Sequence, residues 1–354
     1  MMQRDQDTID VRPEERFETT RLEPYLREHL EGAQGPLEVR QFGGGHANLT
    51  YLIRFGAREW VLRRPPLGRL VPGAHDMRRE YRALSVLHPG YPLAPQAYLL
   101  CIDHEIIGAD FFVMERRHGI AFRREIPPPW VDRPDVLRGV GESLIDNLAT
   151  LHAVDPASVG LGDLGKPEGY VERQVNGWIE RWFNALTPDV GPAEPYTGWL
   201  RATIPKARRT ALLHNDYKLD NTLLDAQNPA RTVAVLDWDM CTRGEPLMDL
   251  GALLALWGEK GDGANALHGR MPTWHDGFFN RREAAERYAR SSGADLSDLH
   301  WYVVFNLFRY AVIVQQIYIR YVRGQTHDER FKDMGAAVNM ITERGIEMIG
   351  SGEI

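Results

Sequence analysis

The sequence predicts an α+β protein in which a small strand-rich lobe is followed by a larger helical one. Three observations lead there. Five short runs between residues 37 and 116 alternate or concentrate apolar and aromatic residues between turn signals, as strands do. Beyond residue 117 the apolar spacing becomes that of helices. A chain of 354 residues, 43% hydrophobic and 26% charged, is a globular composition too long for one core of ordinary size. The first lobe is expected over 1–116 and the second over 117–354.

Residues 1–18 read as a polar arm, and Thr19 or Thr20 caps a short helix through about Leu30. LEVRQF at 37–42 alternates as a strand, and Gly43, Gly44 and Gly45 follow it. NLTYLIRF at 48–55 places Leu49, Tyr51, Ile53 and Phe55 on one face. Gly56 and Ala57 turn the chain into EWVLRR at 59–64, which Pro65 and Pro66 end. By alternation along that strand, Arg64 rather than Arg63 is the surface residue. HDMRREYRALSVLH at 75–88 carries Met77, Tyr81, Leu84 and His88 at helical spacing. QAYLLCID at 96–103 and DFFVMER at 110–116 are the last two strands of the lobe. In the second lobe, ESLIDNLATLHAVD at 142–155 puts Leu144, Ile145, Leu148 and Leu151 on one helix face. Two short apolar runs, TALLHNDY at 210–217 and TVAVLDWD at 232–239, precede helices that continue from Asp249. No internal repeat or low-complexity tract interrupts this order.

Composition excludes several classes. A formal net charge of −7 disfavours nucleic acid as the main partner. Trp301 to Val322 is the most apolar long stretch, but Asn306, Arg309, Gln315, Gln316 and Arg320 within it indicate a buried or amphipathic helix and no membrane span. The charged first residues lack an apolar core, so no signal peptide is expected. Cys101 and Cys241 match no metal-ligand spacing and read as reduced thiols, consistent with a cytoplasmic protein. Oligomeric state has no readable signature.

The strongest chemical signal is HNDYKLDN at 214–221, of the form H-x-D-x-x-x-x-N, with LDWD placing Asp237 sixteen residues after Asn221. Phosphoryl transfer to a hydroxyl needs a carboxylate to orient that hydroxyl and take its proton, which suits Asp216. It also needs hard oxygen ligands for Mg²⁺, which suits Asn221 and Asp237. A short hairpin would join these two. His46, His152 and His214 have no step to perform in such chemistry and read as packing or bracing residues.

These motifs, with FGGGHANLTYLIRF, EWVLRRPP, REYRAL, LATLHAVD and GLGDLGKPEGYVERQVNGW, resemble the aminoglycoside phosphotransferase family, and within it the kinase-like domains related to those joined to acyl-CoA dehydrogenases. The likeness runs from about residue 22 to about 340. It implies a protein-kinase-like bilobal fold, with a five-stranded antiparallel N-lobe and a mainly helical C-lobe. By the same resemblance Asp216 is the catalytic base, and Asn221 and Asp237 hold Mg²⁺. Lys218 reaches the transferred phosphate, Asp239 assists at the metal or substrate, and Asp249 braces the catalytic loop. Gly43, Gly44 and Gly45 form a phosphate-gripping loop. Arg63 stands where the family's third-strand lysine is usual, with Glu80 as its partner. Met114, Glu115 and Arg116 match the hinge that meets the purine, so the cofactors are ATP, or GTP as in some relatives, and Mg²⁺.

The activity expected is transfer of the γ-phosphate to a hydroxyl of a small-molecule acceptor. Lys166, Arg173, Arg181, Lys206, Arg208 and Arg209 make the region beside the expected pocket basic, which favours a neutral or anionic alcohol, and the resemblance to the dehydrogenase-linked domains implies a hydroxyacyl-CoA as one such acceptor. Trp178 and Trp182, with Gln174, read as either pocket or core. Two alternatives stay open: an aminoglycoside-type antibiotic kinase and an idle nucleotide-binding scaffold.

Overall fold

Strand alternation in the first part of the chain produces one antiparallel sheet. The computed structural model describes residues 7–43, 48–67, 76–191, 193–262 and 271–354. The chain divides into two compact units, Met1–His118 with Val159–Leu161 and Ala234–Cys241, and Gly119–Ser158 with Gly162–Val233 and Thr242–Ile354.

In the first unit the strands are β1 (Thr8–Ile9), β2 (Leu37–Phe42), β3 (Leu49–Phe55), β4 (Arg58–Arg64), β5 (Ala97–Cys101) and β6 (Phe111–Glu115), ordered β1-β2-β3-β4-β6-β5. Among the described residues this sheet therefore has six strands where five were expected. The addition comes from the supposed polar arm, where Thr8 and Ile9 pair with Phe42 and Gln41. The arm's polarity is satisfied locally: Arg40 donates to Thr8 Oγ1 and to Asp10, both at 2.9 Å, and Gln41 Oε1 accepts from Arg12 N–H at 3.0 Å. An edge strand needs only backbone pairing on one side, so charged residues do not preclude it.

The core face of the sheet carries Tyr51, Ile53, Phe55, Trp60 and Leu62, covered by Leu22 and Leu26 of helix α1 (Leu22–His29). Arg64 lies on that same face. It is 5% exposed, and Arg63 on the opposite face is 7% exposed. The expectation that Arg64 is at the surface fails because alternation exposes one side only when a sheet is solvated there, and β4 is covered on both. Helix α2 (Met77–Leu87) starts at Asp76, whose carboxylate accepts the N–H groups of Arg78 and Arg79. Its buried face is Met77, Glu80, Ala83, Leu84 and Leu87, so Glu80 and Leu87 replace the expected Tyr81 and His88. A short helix α3 (His104–Ile107) joins β5 to β6.

The second unit holds α4 (Pro128–Val131), α5 (Pro134–Ala153), α6 (Tyr170–Asn184), α7 (Glu194–Ala202), α8 (Leu247–Ala255), α9 (Arg281–Ser292), α10 (Leu299–Val322) and α11 (Met334–Ser351). Helix α10 is long and apolar enough to cross a bilayer by length and composition, but 72% of its most apolar window is buried. It packs against α8 and α11. A Cβ on Gly251 of α8 would lie 2.7 Å from the Tyr302 carbonyl, so this glycine permits the close approach of α10. Strands β7 (Ala211–Leu213) and β10 (Thr242–Gly244) pair antiparallel. Strands β8 (Thr222–Leu224) and β9 (Thr232–Val235) form the hairpin expected after Asn221.

Candidate active site

Two non-glycine residues among those described have positive φ, Asn215 at 64° and Asp237 at 70°. Such backbone is uncommon for a residue with a Cβ, though Asn and Asp tolerate it best, and it concentrates at functional sites. Both lie in the segments singled out by the motifs.

In the second unit, β7 runs straight into the HNDYKLDN loop. Asp249, near the start of α8 and 1% exposed, organises it. Its Oδ2 accepts the His214 N–H at 2.6 Å and its Oδ1 the Asn215 N–H at 2.8 Å. His152 Nε2 donates to Oδ2 at 3.3 Å, and its Nδ1 accepts from Tyr288 Oη at 2.7 Å. Burial works against the Asp249 charge, but these bonds and the nearby imidazoles outweigh it and hold its pKa below the usual aspartate value. Asn215 is fixed from two further directions. Tyr170 Oη donates to its Oδ1 at 2.8 Å, and Arg309 Nη2 donates to its carbonyl at 3.0 Å. His214 is fully buried, and its Nδ1 accepts the Asp216 N–H at 3.2 Å, which leaves the ring proton on Nε2.

The loop so held presents Asp216. Lys218 Nζ lies 2.7 and 2.9 Å from its two carboxylate oxygens. Asn221, in the turn Leu219–Asn221, donates through Nδ2 to Asp216 Oδ2 at 2.7 Å and to its carbonyl at 2.8 Å. With its nitrogen committed, Asn221 keeps Oδ1 as the atom able to meet a hard cation. Asp216 and Lys218 line a cavity of about 330 Å³, with Arg123, Arg124 and Arg309 also in its wall. Arg123 and Arg124 make no ion pair or hydrogen bond to any described residue. Asp220 lines the same cavity and is exposed.

In the first unit a second polar group forms around Arg63. Its Nη1 is 3.1 Å from Glu80 Oε1, and its Nη2 pairs with Asp237 Oδ1. Trp238 N–H also donates to Glu80 Oε1 at 3.3 Å. Burial pushes the Glu80 pKa up to about 8, with Arg63 opposing and Asp237 and Asp239 adding repulsion. Burial also opposes the Arg63 charge, but Glu80, Asp237 and Asp239 outweigh it and raise its pKa. Arg63 thus faces several carboxylates, and the fully buried Glu80 keeps Oε2 without a hydrogen-bond partner among the described residues.

Gly43 follows β2, and its carbonyl accepts from Arg12 Nη2 at 3.3 Å. Gly44, Gly45 and His46 lie outside the described residues. Met114 is buried in β6 opposite Val61. The Glu115 N–H is committed to Gln96 O at 2.8 Å, and Arg116 pairs with Asp7 at 2.6 Å. Trp178 and Trp182 are buried and do not line the cavity near Asp216. None of the basic residues expected beside the pocket lines this cavity; Arg208 pairs with Asp298 at 2.8 Å, and Arg209 donates to the His152 carbonyl. The arginines in the cavity wall are Arg123, Arg124 and Arg309. The RR pair before a proline-rich stretch and an arginine inside the most apolar helix were the available signals for them.

Comparison with known proteins fits this geometry. The sequence model of the phosphotransferase enzyme family matches residues 38–298. Acyl-CoA dehydrogenase family member 11 of Rattus norvegicus is 32% identical over 352 residues, 97% of this chain. The chain spans 44% of that relative's length. A crystal structure from Ralstonia eutropha jmp134, provisionally named an aminoglycoside phosphotransferase, is 30% identical with a TM-score of 0.80, covering 94% of this chain and 98% of its own. A thermostable mutant of an aminoglycoside phosphotransferase, in ternary complex with AMP-PNP and hygromycin B, shares the fold at 16% identity and a TM-score of 0.59, over 94% of this chain and 100% of its own. The chain therefore belongs to the phosphotransferase enzyme family, the small-molecule phosphotransferases of kinase-like fold.

Proposed function

We propose that the chain transfers the γ-phosphate of a nucleoside triphosphate to the hydroxyl of a small anionic acceptor, with Asp216 as the base. The observation that carries this reading is the cavity wall around Asp216. Lys218 and Asn221 fix both carboxylate oxygens, and each oxygen keeps lone-pair capacity for an acceptor hydroxyl. A hydroxyl seated on Asp216 would be aligned for attack and lose its proton there. Lys218, two residues on, would then face the oxyanions of the transferring group, where positive charge stabilises the transition state.

Nucleotide recognition is assigned to the first unit: Gly43, Gly44 and Gly45, the Arg63–Glu80 pair, and Met114, Glu115 and Arg116 at the purine. ATP is the working choice, because a related fold binds AMP-PNP, and GTP is its competitor. Asp237 and Asn221 are the proposed oxygen donors to Mg²⁺. Among the described residues no group of three or more His, Cys, Asp or Glu could hold a metal alone. One carboxylate and one amide oxygen suit a cation that keeps its waters and takes its other ligands from phosphate. When bound, Mg²⁺ would neutralise phosphate charge.

Acceptor charge follows from the cavity. Arg123, Arg124, Lys218 and Arg309 outnumber Asp216 and Asp220. A polycationic aminoglycoside would be repelled there, whereas a hydroxyacyl thioester or hydroxy acid would be attracted. A second reading, nucleotide binding without turnover, draws on the contact of Arg63 with Asp237 itself. The test is phosphotransfer from ATP and GTP to a panel of hydroxy acids, hydroxyacyl-CoAs and aminoglycosides. The expected result is turnover on anionic acceptors, with Arg123→Ala/Arg124→Ala raising their KM by roughly tenfold or more at similar kcat. Preferential turnover of an aminoglycoside would refute the acceptor assignment, and nucleotide binding without transfer to any acceptor would favour the idle scaffold.

A further inference from the structure

The two neighbouring arginines at the end of β4 have opposite electrostatic fates. Arg63 meets Glu80 and Asp237. Arg64, only 5% exposed, has no carboxylate of the described residues within ion-pair distance. Among the described residues its side chain makes one hydrogen bond, from Nη1 to the Ile107 carbonyl at 3.3 Å, and its Nε is buried without a partner. The Phe17 ring lies 5.8 Å from its Cζ, a cation–π contact that offsets part of the lost hydration. Burial lowers its pKa, while Tyr51 nearby acts in the opposite sense. Buried charges in proteins are ordinarily paired, because an unpaired one is strongly destabilising.

Arg64 also forms part of the wall of a cavity of about 530 Å³. This cavity lies on the face of β4 opposite the Arg63 group. Arg16 and Arg21 line it, against Glu18 and Glu105, so with Arg64 the wall carries one net positive charge. Arg21 and Glu105 neutralise each other at 2.6 Å, both largely exposed. Arg16 makes only a 3.4 Å bond to the Val11 carbonyl. Phe17, Ile106 and Ile107 supply apolar surface beside the guanidinium. A single net charge over a buried arginine, next to apolar walls, is complementary to a monoanion with a hydrocarbon body.

We propose that this cavity binds a small monocarboxylate with a short apolar chain, its carboxylate received by Arg64. The planar guanidinium presents paired donors that match a carboxylate's two oxygens. A phosphate dianion would exceed the net charge of the wall, and a neutral alcohol would leave Arg64 uncompensated. Occupancy would stabilise the first unit by mass action, independently of any nucleotide or acceptor.

The test is calorimetric titration and thermal melting of the full chain with hexanoate, hexanol and inorganic phosphate, for the wild type, Arg64→Met and Thr20→Glu. Hexanoate is expected to bind one to one and raise the melting temperature, with hexanol and phosphate at least roughly tenfold weaker. Arg64→Met should lose hexanoate affinity by roughly tenfold or more. Ligand-free, it should melt no lower than the wild type, since methionine fills the space without an unpaired charge. A merely structural arginine would instead give a variant that melts lower. Thr20 is exposed in the same wall, so Thr20→Glu leaves the core untouched and supplies a competing carboxylate that weakens hexanoate. The proposal is overturned by the absence of hexanoate binding, by equal binding to Arg64→Met, by phosphate binding in preference to hexanoate, or, should Arg64→Met not fold, by unchanged hexanoate affinity in Thr20→Glu.

Discussion

Asp216→Asn is expected to lower phosphotransfer turnover by roughly a hundredfold or more while leaving the fold intact. Asparagine has nearly the volume of aspartate, so the loop held by Asp249, Tyr170 and Arg309 has no reason to move. Lys218 loses its ion pair, but that pair is about a quarter to a third exposed and contributes little to stability. The lost quantity is the proton acceptor. An amide oxygen can still accept a hydrogen bond from the hydroxyl, so KM should change less than kcat. Steady-state phosphotransfer alongside circular dichroism separates the two effects. Near-full turnover in this variant would remove Asp216 from the mechanism.

Asp249→Ala is expected to lower stability by about 3–5 kcal/mol, the range for removing one partner of a buried charged network. The substitution orphans the N–H groups of His214 and Asn215 and the Nε2 of His152, all now satisfied by one carboxylate. It also releases the contact that helps hold Asn215 at a φ of 64°. The pH dependence has a definite sign. The folded pKa of Asp249 lies below its unfolded value near 4, so the stabilisation is complete above that value and is lost as pH falls through the folded pKa. The wild type should therefore show an acid limb below about pH 4 that is reduced in Asp249→Ala. Urea unfolding at neutral pH and a pH series of melting curves measure both. An Asp249→Ala midpoint within error of the wild type would show that the loop is held by its other contacts.

Legibility in the sequence followed the range of the interaction. The H-x-D-x-x-x-x-N loop and the LDWD segment stood out because they crowd several chemical groups into short, fixed spacings. The strands at 37–42, 48–55, 59–64, 96–103 and 110–116 were readable from alternation and turns, which are local signals. Long-range contacts were not. Tyr170 reaches Asn215 across 45 residues and Arg309 across 94; Tyr170 lies in a stretch whose likeness to the family carries no hint of that contact, and Arg309 lies in no motif. The positive φ of Asn215 is compatible with asparagine, which tolerates the left-handed region, but the residue type alone does not mark this position among the chain's other asparagines. Arg64 was misplaced for a related reason: alternation tells which residues share a face, but only the packing of α1 and Phe17 decides that the face is buried. The strand at Thr8–Ile9 was hidden by its charged neighbours, whose partners lie about thirty residues away on β2.

Calorimetric titration of ATP and GTP, with and without Mg²⁺, into the wild type and Asp237→Asn tests the phosphotransfer site most directly. Asparagine keeps a hydrogen-bond acceptor for Arg63 but removes the charge proposed to meet the metal. The expected result is nucleotide binding to the wild type that strengthens with Mg²⁺ and loses that enhancement in the variant. Binding indifferent to Mg²⁺, or equally Mg²⁺-enhanced in Asp237→Asn, would contradict the assignment of Asp237. Failure of both nucleotides to bind the wild type would contradict the phosphotransfer reading itself.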